Sequence, residues 1–194
     1  MNYPNGIKLD QSNNQLMKNT TRNNRGMSLE NDINISNKYY IDKEIAFIYK
    51  KPTPIKIVKV DYPTKINKKG NIVITEAYFE APSTTDYNGI YNGKYIDFEA
   101  KETNNTEYFP LENIHKHQIK HLQNITKSNG IGFIIVRFTK LNKTYLLYAK
   151  DLIEFINKKE RKSIPISYFE EKGHLIEEKF LPRLDYLEIL DLEV

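Results

Sequence analysis

The dipeptide Asn92-Gly93 constrains the fold of this chain strongly, because it lies between two runs of β-forming residues. Asn-Gly is a strong signal for a two-residue type I′ hairpin turn. Counting outward from that turn places Asp86 directly across from Glu99. The sequence therefore predicts that two carboxylates face each other at the open end of a two-stranded ribbon.

Two opposed carboxylates call for a compensating charge. Like charges directly opposite on paired strands destabilise the pair by roughly 0.2–1 kcal/mol, and a divalent cation would offset this. Hard oxygen ligands without cysteine favour Mg²⁺ or Mn²⁺ over zinc. Lys101 follows Glu99 by two residues, so on a strand both side chains point to the same face. A surface hairpin with alternating charges is the alternative interpretation.

Length and composition exclude several classes of protein. The 194 residues suit one compact domain, and the absence of cysteine excludes disulfides, thiolate catalysis and cysteine zinc sites. No apolar run approaches the ~20 residues of a membrane helix, and no signal peptide is recognisable, so a cytoplasmic protein is expected. Residues 1–70 carry 13 Lys and Arg against 6 Asp and Glu. This imbalance indicates either a polyanionic partner or a solvated basic surface.

Helical and strand signals alternate along the chain, which predicts a mixed α/β domain with helices flanking a central sheet. Ser28 is expected to cap the first helix, and Pro110 to open a second that runs to about Ser128. Residues 130–138 form an apolar run typical of a buried strand. Asp151 is expected to cap a short third helix.

Two segments are expected to lie outside the core. Residues 1–24 lack hydrophobic periodicity and are rich in Asn, Thr and Lys, which predicts a flexible basic arm before a single domain at 25–194. Residues 51–70 hold six lysines, three prolines and one acid, a composition that makes a poor core strand. This second segment is predicted to project as an exposed basic extension, in the manner of a loop.

Four motifs occur together in this chain: Asn24-Arg25-Gly26, Pro82-Ser83-Thr84-Thr85-Asp86-Tyr87-Asn88-Gly89, Tyr95-Ile96-Asp97-Phe98-Glu99-Ala100-Lys101-Glu102-Thr103 and His115-Lys116-His117-Gln118. Jointly they resemble the RecU family of Holliday junction resolvases, within the PD-(D/E)xK nuclease superfamily. The resemblance extends from about residue 24 to Leu187. Pro82 precedes Asp86 by four residues, so the superfamily's Pro-Asp pair is absent, and this spacing fits RecU better than a generic nuclease.

The resemblance implies a restriction-endonuclease-like core and a set of site residues. Mg²⁺, with Mn²⁺ as a substitute, would be bound through Thr84, Asp86, Glu99 and Gln118, and Lys101 would stabilise the transition state. The hairpin register independently indicates Asp86, Glu99 and Lys101 as catalytic residues. It supports Thr84 weakly, and nothing in the spacing selects Gln118.

The resemblance also implies partners. RecU proteins are dimers with a projecting stalk that enters a four-way DNA junction, and residues 51–70 are where that stalk should lie. A two-fold dimer presents two equal sites to the two equivalent strands of a junction. Contact with the recombinase RecA and a location at the nucleoid are further implications. The candidate DNA-binding residues are Arg25, Lys56, Lys59, Lys65, Lys68 and Lys69.

The resulting functional hypothesis is an endonuclease that resolves Holliday junctions by paired symmetric nicks, using water activated by Mg²⁺. Two alternatives stay open: a sequence-specific restriction-type nuclease that cuts linear duplex, and a non-catalytic protein that binds DNA junctions. Cleavage assays on branched and linear DNA separate all three.

Other ionisable residues fit ordinary structural roles as well as functional ones. His117 and His121 are four residues apart on one helix face, which favours a surface or DNA-facing pair over a metal site. Glu30 in the first turn of a helix is better explained by the helix dipole than by metal binding. Asp97 shares the face of Glu99, so it either supports the metal ligands or is solvated.

Overall fold

The computed structural model describes residues 28–62, 72–79, 84–158 and 161–191. Short 3₁₀ turns occur at Leu111–Asn113 and Thr139–Leu141. The helices and strands of these ranges are, in chain order, α1 (Leu29–Asp42), β1 (Phe47–Lys50), β2 (Ile55–Asp61), β3 (Val73–Phe79), β4 (Tyr87–Tyr91), β5 (Lys94–Thr103), β6 (Tyr108–Pro110), α2 (Lys116–Lys127), β7 (Ile131–Phe138), β8 (Lys143–Tyr148), α3 (Ala149–Lys158), β9 (Ser163–Pro165), α4 (Ile166–Lys172), β10 (His174–Ile176) and α5 (Tyr186–Leu190).

The main sheet has six strands in the order β1-β4-β5-β7-β8-β10. β5 and β7 are parallel, and the other neighbouring pairs are antiparallel. α1 and α5 cover one face, while α2, α3 and α4 cover the other. The predicted fold class, a mixed α/β domain with helices flanking a central mixed sheet, is confirmed. Within the described ranges, no helix has the length and apolar character to cross a bilayer.

An aromatic stack on the α1 face holds the three central strands together. The ring of Phe98 on β5 stacks 4.8 Å from Tyr87 on β4 and 4.7 Å from Phe133 on β7, measured between centroids. All three side chains are fully buried, and full burial of such a ring stabilises the fold by roughly 1.5–3 kcal/mol. Since Tyr87 is directly opposite Phe98, the stack fixes the register of the β4–β5 hairpin.

The turn of that hairpin has the predicted geometry. Asn92 and Gly93 both have positive φ, 47° and 72°, as a type I′ turn requires. The ladder pairs Tyr87 with Phe98, so Asp86 and Glu99 are the next positions along it. The predicted register is therefore confirmed.

The opposite face of the sheet is covered mainly by α2 and α3. Leu122 of α2 and Leu152 of α3 are fully buried with Val136 of β7 in a second core. Because α2 connects the parallel strands β5 and β7, it returns antiparallel to β5. Phe98 points to the α1 face, so its neighbours Asp97 and Glu99 point to the α2 face, where His121 of α2 contacts Asp97.

The basic extension is a strand pair. β2 and β3 form their own two-stranded antiparallel sheet outside the main sheet, and the side chains of β2 are largely exposed. Within residues 51–62 the expectation of no core strand is confirmed, but the loop interpretation is wrong for residues 55–61. There, pairing with β3 satisfies the backbone groups that a loop would leave to water. Residues 63–71 and 1–24 lie outside the described residues, so the arm and domain boundaries stay predictions.

Two predicted helix starts are wrong. Pro110 has an extended backbone, with φ −66° and ψ 127°, and ends strand β6, which pairs with β9. The next amide, Leu111 N–H, donates to Lys162 O at 3.1 Å, so β pairing replaces helix at this point and α2 begins only at Lys116. Asp151 is in the first turn of α3, which begins at Ala149, and there its carboxylate suits the helix dipole.

Candidate active site

Asp86 and Glu99 meet at the open end of the β4–β5 hairpin. Asp86 N–H donates to Glu99 Oε2 at 3.1 Å, and Ala100 N–H lies 3.4 Å from Asp86 Oδ2. Glu99 is fully buried in the middle of β5, while Asp86 is partly exposed in the bend before β4. One buried and one accessible carboxylate thus lie within reach of a single small ligand.

Lys101 is held against Glu99. Its Nζ lies 2.7 Å from Glu99 Oε1, and its side chain is partly exposed. Burial raises the pKa of Glu99 to about 7; Lys101 opposes this, and the charge of Asp86 adds to it. The folded protein therefore holds a carboxylate whose negative charge is under-compensated.

The donor set fits a hard divalent cation. The buried Glu99 Oε1 accepts no hydrogen bond of good geometry among the described residues, although Lys101 is close. Mg²⁺ is commonly held by one or two carboxylates, with waters and substrate phosphates completing its coordination. Within the described part of the chain, no three His, Asp or Glu side chains converge as a metal-ligand group, so Asp86 and Glu99 would act as such a pair.

The two other predicted ligands are on flanking segments. Thr84 is partly exposed in the bend two residues before Asp86. Gln118 is buried in the first turn of α2, where its Oε1 accepts from His115 N–H at 2.9 Å. The bond from His115 N–H caps the start of the helix, as Gln at its third position commonly does, and it is a signal for a cap and not for a metal ligand. Gln118 lies one helical turn before His121, whose Nε2 is 3.0 Å from Asp97 Oδ2.

Asp97 proves to be the centre of a buried polar cluster. Its carboxylate oxygens accept hydrogen bonds from Thr85 Oγ1, from Lys51 Nζ at 2.8 Å and from Tyr95 OH at 2.9 Å. His121 Nε2 lies 3.0 Å from Asp97 Oδ2. The solvated alternative for Asp97 is therefore wrong. The surface interpretation of His121 is also wrong, because this ring packs inward on the carboxylate.

Lys51 was missed as a site residue. The composition of residues 51–70 predicts an exposed position for Lys51, but its side chain is mostly buried, and its backbone N–H donates to Asp86 O at 2.7 Å. It therefore anchors the segment that carries Asp86. No local pattern marks this residue, because its partners are 34 and 46 positions away.

The remaining candidates have separate positions. His117 is partly buried, and its ring stacks 5.4 Å from His115. Glu30 is in the first turn of α1 and pairs with Lys50 Nζ at 2.5 Å, consistent with a structural role. Among the predicted DNA-binding residues, Lys56 and Lys59 are exposed on β2. The others lie outside the described residues: Arg25, Lys65, Lys68 and Lys69.

Comparisons with known proteins identify close relatives. The Holliday junction resolvase RecU of Bacillus cytotoxicus is 50% identical over 98% of this chain and 96% of its own length. The Holliday junction resolvase RecU of Geobacillus kaustophilus is 55% identical over 87% of this chain and 84% of its own length. The solved structure of the Holliday junction resolvase Hjc from Archaeoglobus fulgidus has a TM-score of 0.41 and 9% identity, over 74% of this chain and 94% of that chain, too weak a likeness to assign a fold.

A family model agrees with these relatives. The model described as Recombination protein U matches residues 24–192, a range that includes both carboxylates of the hairpin, Lys101 and the start of α2. The match and the identities near 50% over almost the whole chain confirm the resemblance found in the sequence motifs. The chain belongs to the RecU family.

Proposed function

We propose that this protein is an endonuclease that resolves Holliday junctions by paired symmetric nicks in recombination and repair. The observation that carries the proposal is the buried Glu99 meeting Asp86 and Lys101 on one face of a RecU-family hairpin. The two relatives named Holliday junction resolvase align with this chain over 96% and 84% of their own length. A shared family and an intact acid–acid–lysine set favour catalysis over simple DNA binding.

The proposed role of each side chain in the site follows from its chemistry. Asp86 and Glu99, with Thr84 and Gln118, would hold Mg²⁺, and Mn²⁺ would substitute. When bound, the cation would offset charge on the scissile phosphate and ease deprotonation of water. Lys101 presents a positive charge on the same face of β5, where it would stabilise the negative charge that develops on the phosphate.

The strand pair β2–β3 would contact the junction. Lys56 and Lys59 stand exposed on β2, and each lysine that neutralises a phosphate contributes to the salt dependence of binding. Binding weakens as salt rises, so the slope of log binding constant against log salt is negative, and we expect the double variant Lys56→Ala/Lys59→Ala to make it less steep by about 2. Fluorescence anisotropy with a labelled junction between ~50 and ~200 mM salt measures it.

The matched control removes two lysines elsewhere. Lys158 and Lys172 lie on α3 and α4, and each pairs with a glutamate. The variant Lys158→Ala/Lys172→Ala should keep the wild-type slope. Equal slopes for the two double variants would show that β2 does not contact phosphate.

The protein is inferred to work as a homodimer. Phe47 and Tyr49 on β1 form one exposed apolar face with Ile90 on β4 and Tyr95 on β5, and each of the four is between 38% and 56% exposed. A second copy of the chain would cover such a face and supply the second nicking site. Sedimentation velocity gives the oligomeric state.

Action on chromosomal DNA would place the protein at the nucleoid in the cytoplasm. RecA is a further implied partner, and co-precipitation with purified RecA tests that contact.

The central experiment compares a mobile four-way junction with linear duplex of the same sequence. With Mg²⁺ on the order of 10 mM, a level suited to weak, water-rich sites, symmetric nicks are expected on the junction only, and none with EDTA. Equal cutting of linear duplex would establish a restriction-type nuclease instead. Binding to the junction without cleavage in Mg²⁺ or Mn²⁺ would establish a non-catalytic protein.

A further inference from the structure

A buried carboxylate beside the proposed metal ligands has no part in the mechanism above. The side chain of Asp97 is fully buried, two residues before Glu99 on the same face of β5. Oδ1 accepts from Thr85 Oγ1, while Oδ2 accepts from Lys51 and Tyr95 and contacts His121. Since both oxygens are engaged, Asp97 is not arranged as a metal ligand.

The groups around Asp97 come from different segments of the chain, and three of these segments carry or contact a proposed metal ligand. Thr85 lies between Thr84 and Asp86 in the chain. His121 follows Gln118 by three residues, about one turn of α2. Lys51 contacts both Asp97 and Thr85, at 2.8 and 2.9 Å, and its backbone N–H holds Asp86 O.

One carboxylate therefore ties together the loop before β4, the central strand β5 and the helix α2. Burying a charged carboxylate is unfavourable unless it is paired and hydrogen-bonded, so the cluster has one strongly preferred arrangement. Hydrogen bonds to an ionised acceptor are roughly twice as strong as neutral ones, which stiffens the arrangement further. Metal sites depend on such outer contacts, because these orient the ligands themselves.

We propose that Asp97 is the positioning residue of the metal site, which sets the spacing of Asp86, Glu99 and Gln118 through Thr85, Lys51 and His121. The proposal rests on the proposed function, in that it assumes a divalent cation between Asp86 and Glu99. It assigns to Asp97 an effect on metal affinity that a purely structural buried acid would not have.

The first test measures Mn²⁺ binding to the full chain without DNA, by isothermal titration calorimetry. Asp97→Asn keeps the size and one acceptor oxygen but removes the charge and presents an amide to Lys51 or Thr85. We expect Mn²⁺ affinity to fall about 10–100-fold, the usual cost of losing an outer contact in a metal site. Junction binding in EDTA should stay at the wild-type level.

Asp32→Asn is the matched control. Asp32 is an equally buried, ion-paired carboxylate, but it lies on α1 at the opposite face of the sheet, 2.7 Å from Arg137 and 3.2 Å from Arg183. Its replacement should lower the melting temperature and leave Mn²⁺ affinity unchanged. If Asp97→Asn also lowers only the melting temperature, Asp97 is structural and the proposal is overturned.

A milder pair of variants keeps the test open should Asp97→Asn fail to fold. Thr85→Ser retains the hydroxyl that donates to Asp97, and Thr85→Val removes it at nearly constant size. We expect wild-type Mn²⁺ affinity from Thr85→Ser and a severalfold loss from Thr85→Val. Equal affinity of the two folded variants would overturn the positioning role.

Failure of the proposed function gives a different result. If the wild-type protein binds no Mn²⁺, or if Asp86→Asn binds it as tightly as wild type, the metal site itself is misplaced and both proposals fall. If Asp86→Asn abolishes binding and the Asp97 and Thr85 variants bind normally, the metal site stands and only the role of Asp97 is lost.

Discussion

Replacing Glu99 with Gln is expected to reduce junction cleavage by more than about 10³-fold while leaving junction binding intact. Gln has the same shape, and its oxygen can still accept from Asp86 N–H, but it brings no negative charge to a cation and no partner for Lys101. Single-turnover cleavage with saturating protein measures the chemical step, and a gel-shift assay in EDTA measures binding.

Glu112→Gln is the matched control. Glu112 is exposed in the 3₁₀ turn before α2, so the same chemical change there should leave the cleavage rate at the wild-type value. Cleavage by Glu99→Gln at a rate near that of the control would show that the catalytic metal site is elsewhere in the protein.

The largest loss of stability is expected from Asp32→Ala. This carboxylate, 1% exposed, pairs with Arg137 and Arg183 from two distant segments, so its removal takes away the shared partner of one buried and one partly buried guanidinium group. Breaking a buried pair by removing one partner costs ~3–5 kcal/mol. Glu178 contacts both arginines at 3.3 Å and offsets part of the penalty, which places the expected loss near 3 kcal/mol, about the lower end of that range.

Urea unfolding followed by circular dichroism gives this free-energy difference from the transition midpoint and slope. Asp42→Ala is the appropriate comparison, since Asp42 belongs to the same helix and pairs with Lys38 at 2.7 Å, but both side chains are exposed. An exposed pair of this kind should change the free energy of unfolding by less than about 1 kcal/mol. Similar losses for the two variants would show that burial does not govern these ion pairs.

The hairpin and its carboxylates could be predicted because every signal involved is local. Asn92-Gly93 sets the turn, and strand periodicity then determines that Asp86 faces Glu99 and that Lys101 shares a face with Glu99. The family motifs agree with that independent derivation. Prediction succeeded where a few adjacent residues decide the geometry.

The supporting cluster could not be predicted from the sequence, since it depends on tertiary contacts. Lys51 and His121 reach Asp97 from 46 and 24 positions away, and no periodicity connects them. Pro110 was misassigned for the same reason: its pairing partners in β9 lie more than 50 residues later in the chain. Helix-start rules treat a proline by its immediate neighbours, and here a distant strand decides its conformation.

The β4–β5 hairpin and the first helix differ in how much of the chain must be synthesised before their contacts can form. Asp86 and Glu99 are 13 residues apart, whereas α1 is fastened by contacts of Ser36, Asn37 and Tyr40 with residues 144 to 149 positions later. Long separations raise the entropic cost of closure, and synthesis delivers the C-terminal partners last. During synthesis the hairpin can therefore bring the carboxylates together early, while the contacts of the first helix with residues 184–186 form only after those residues have been made.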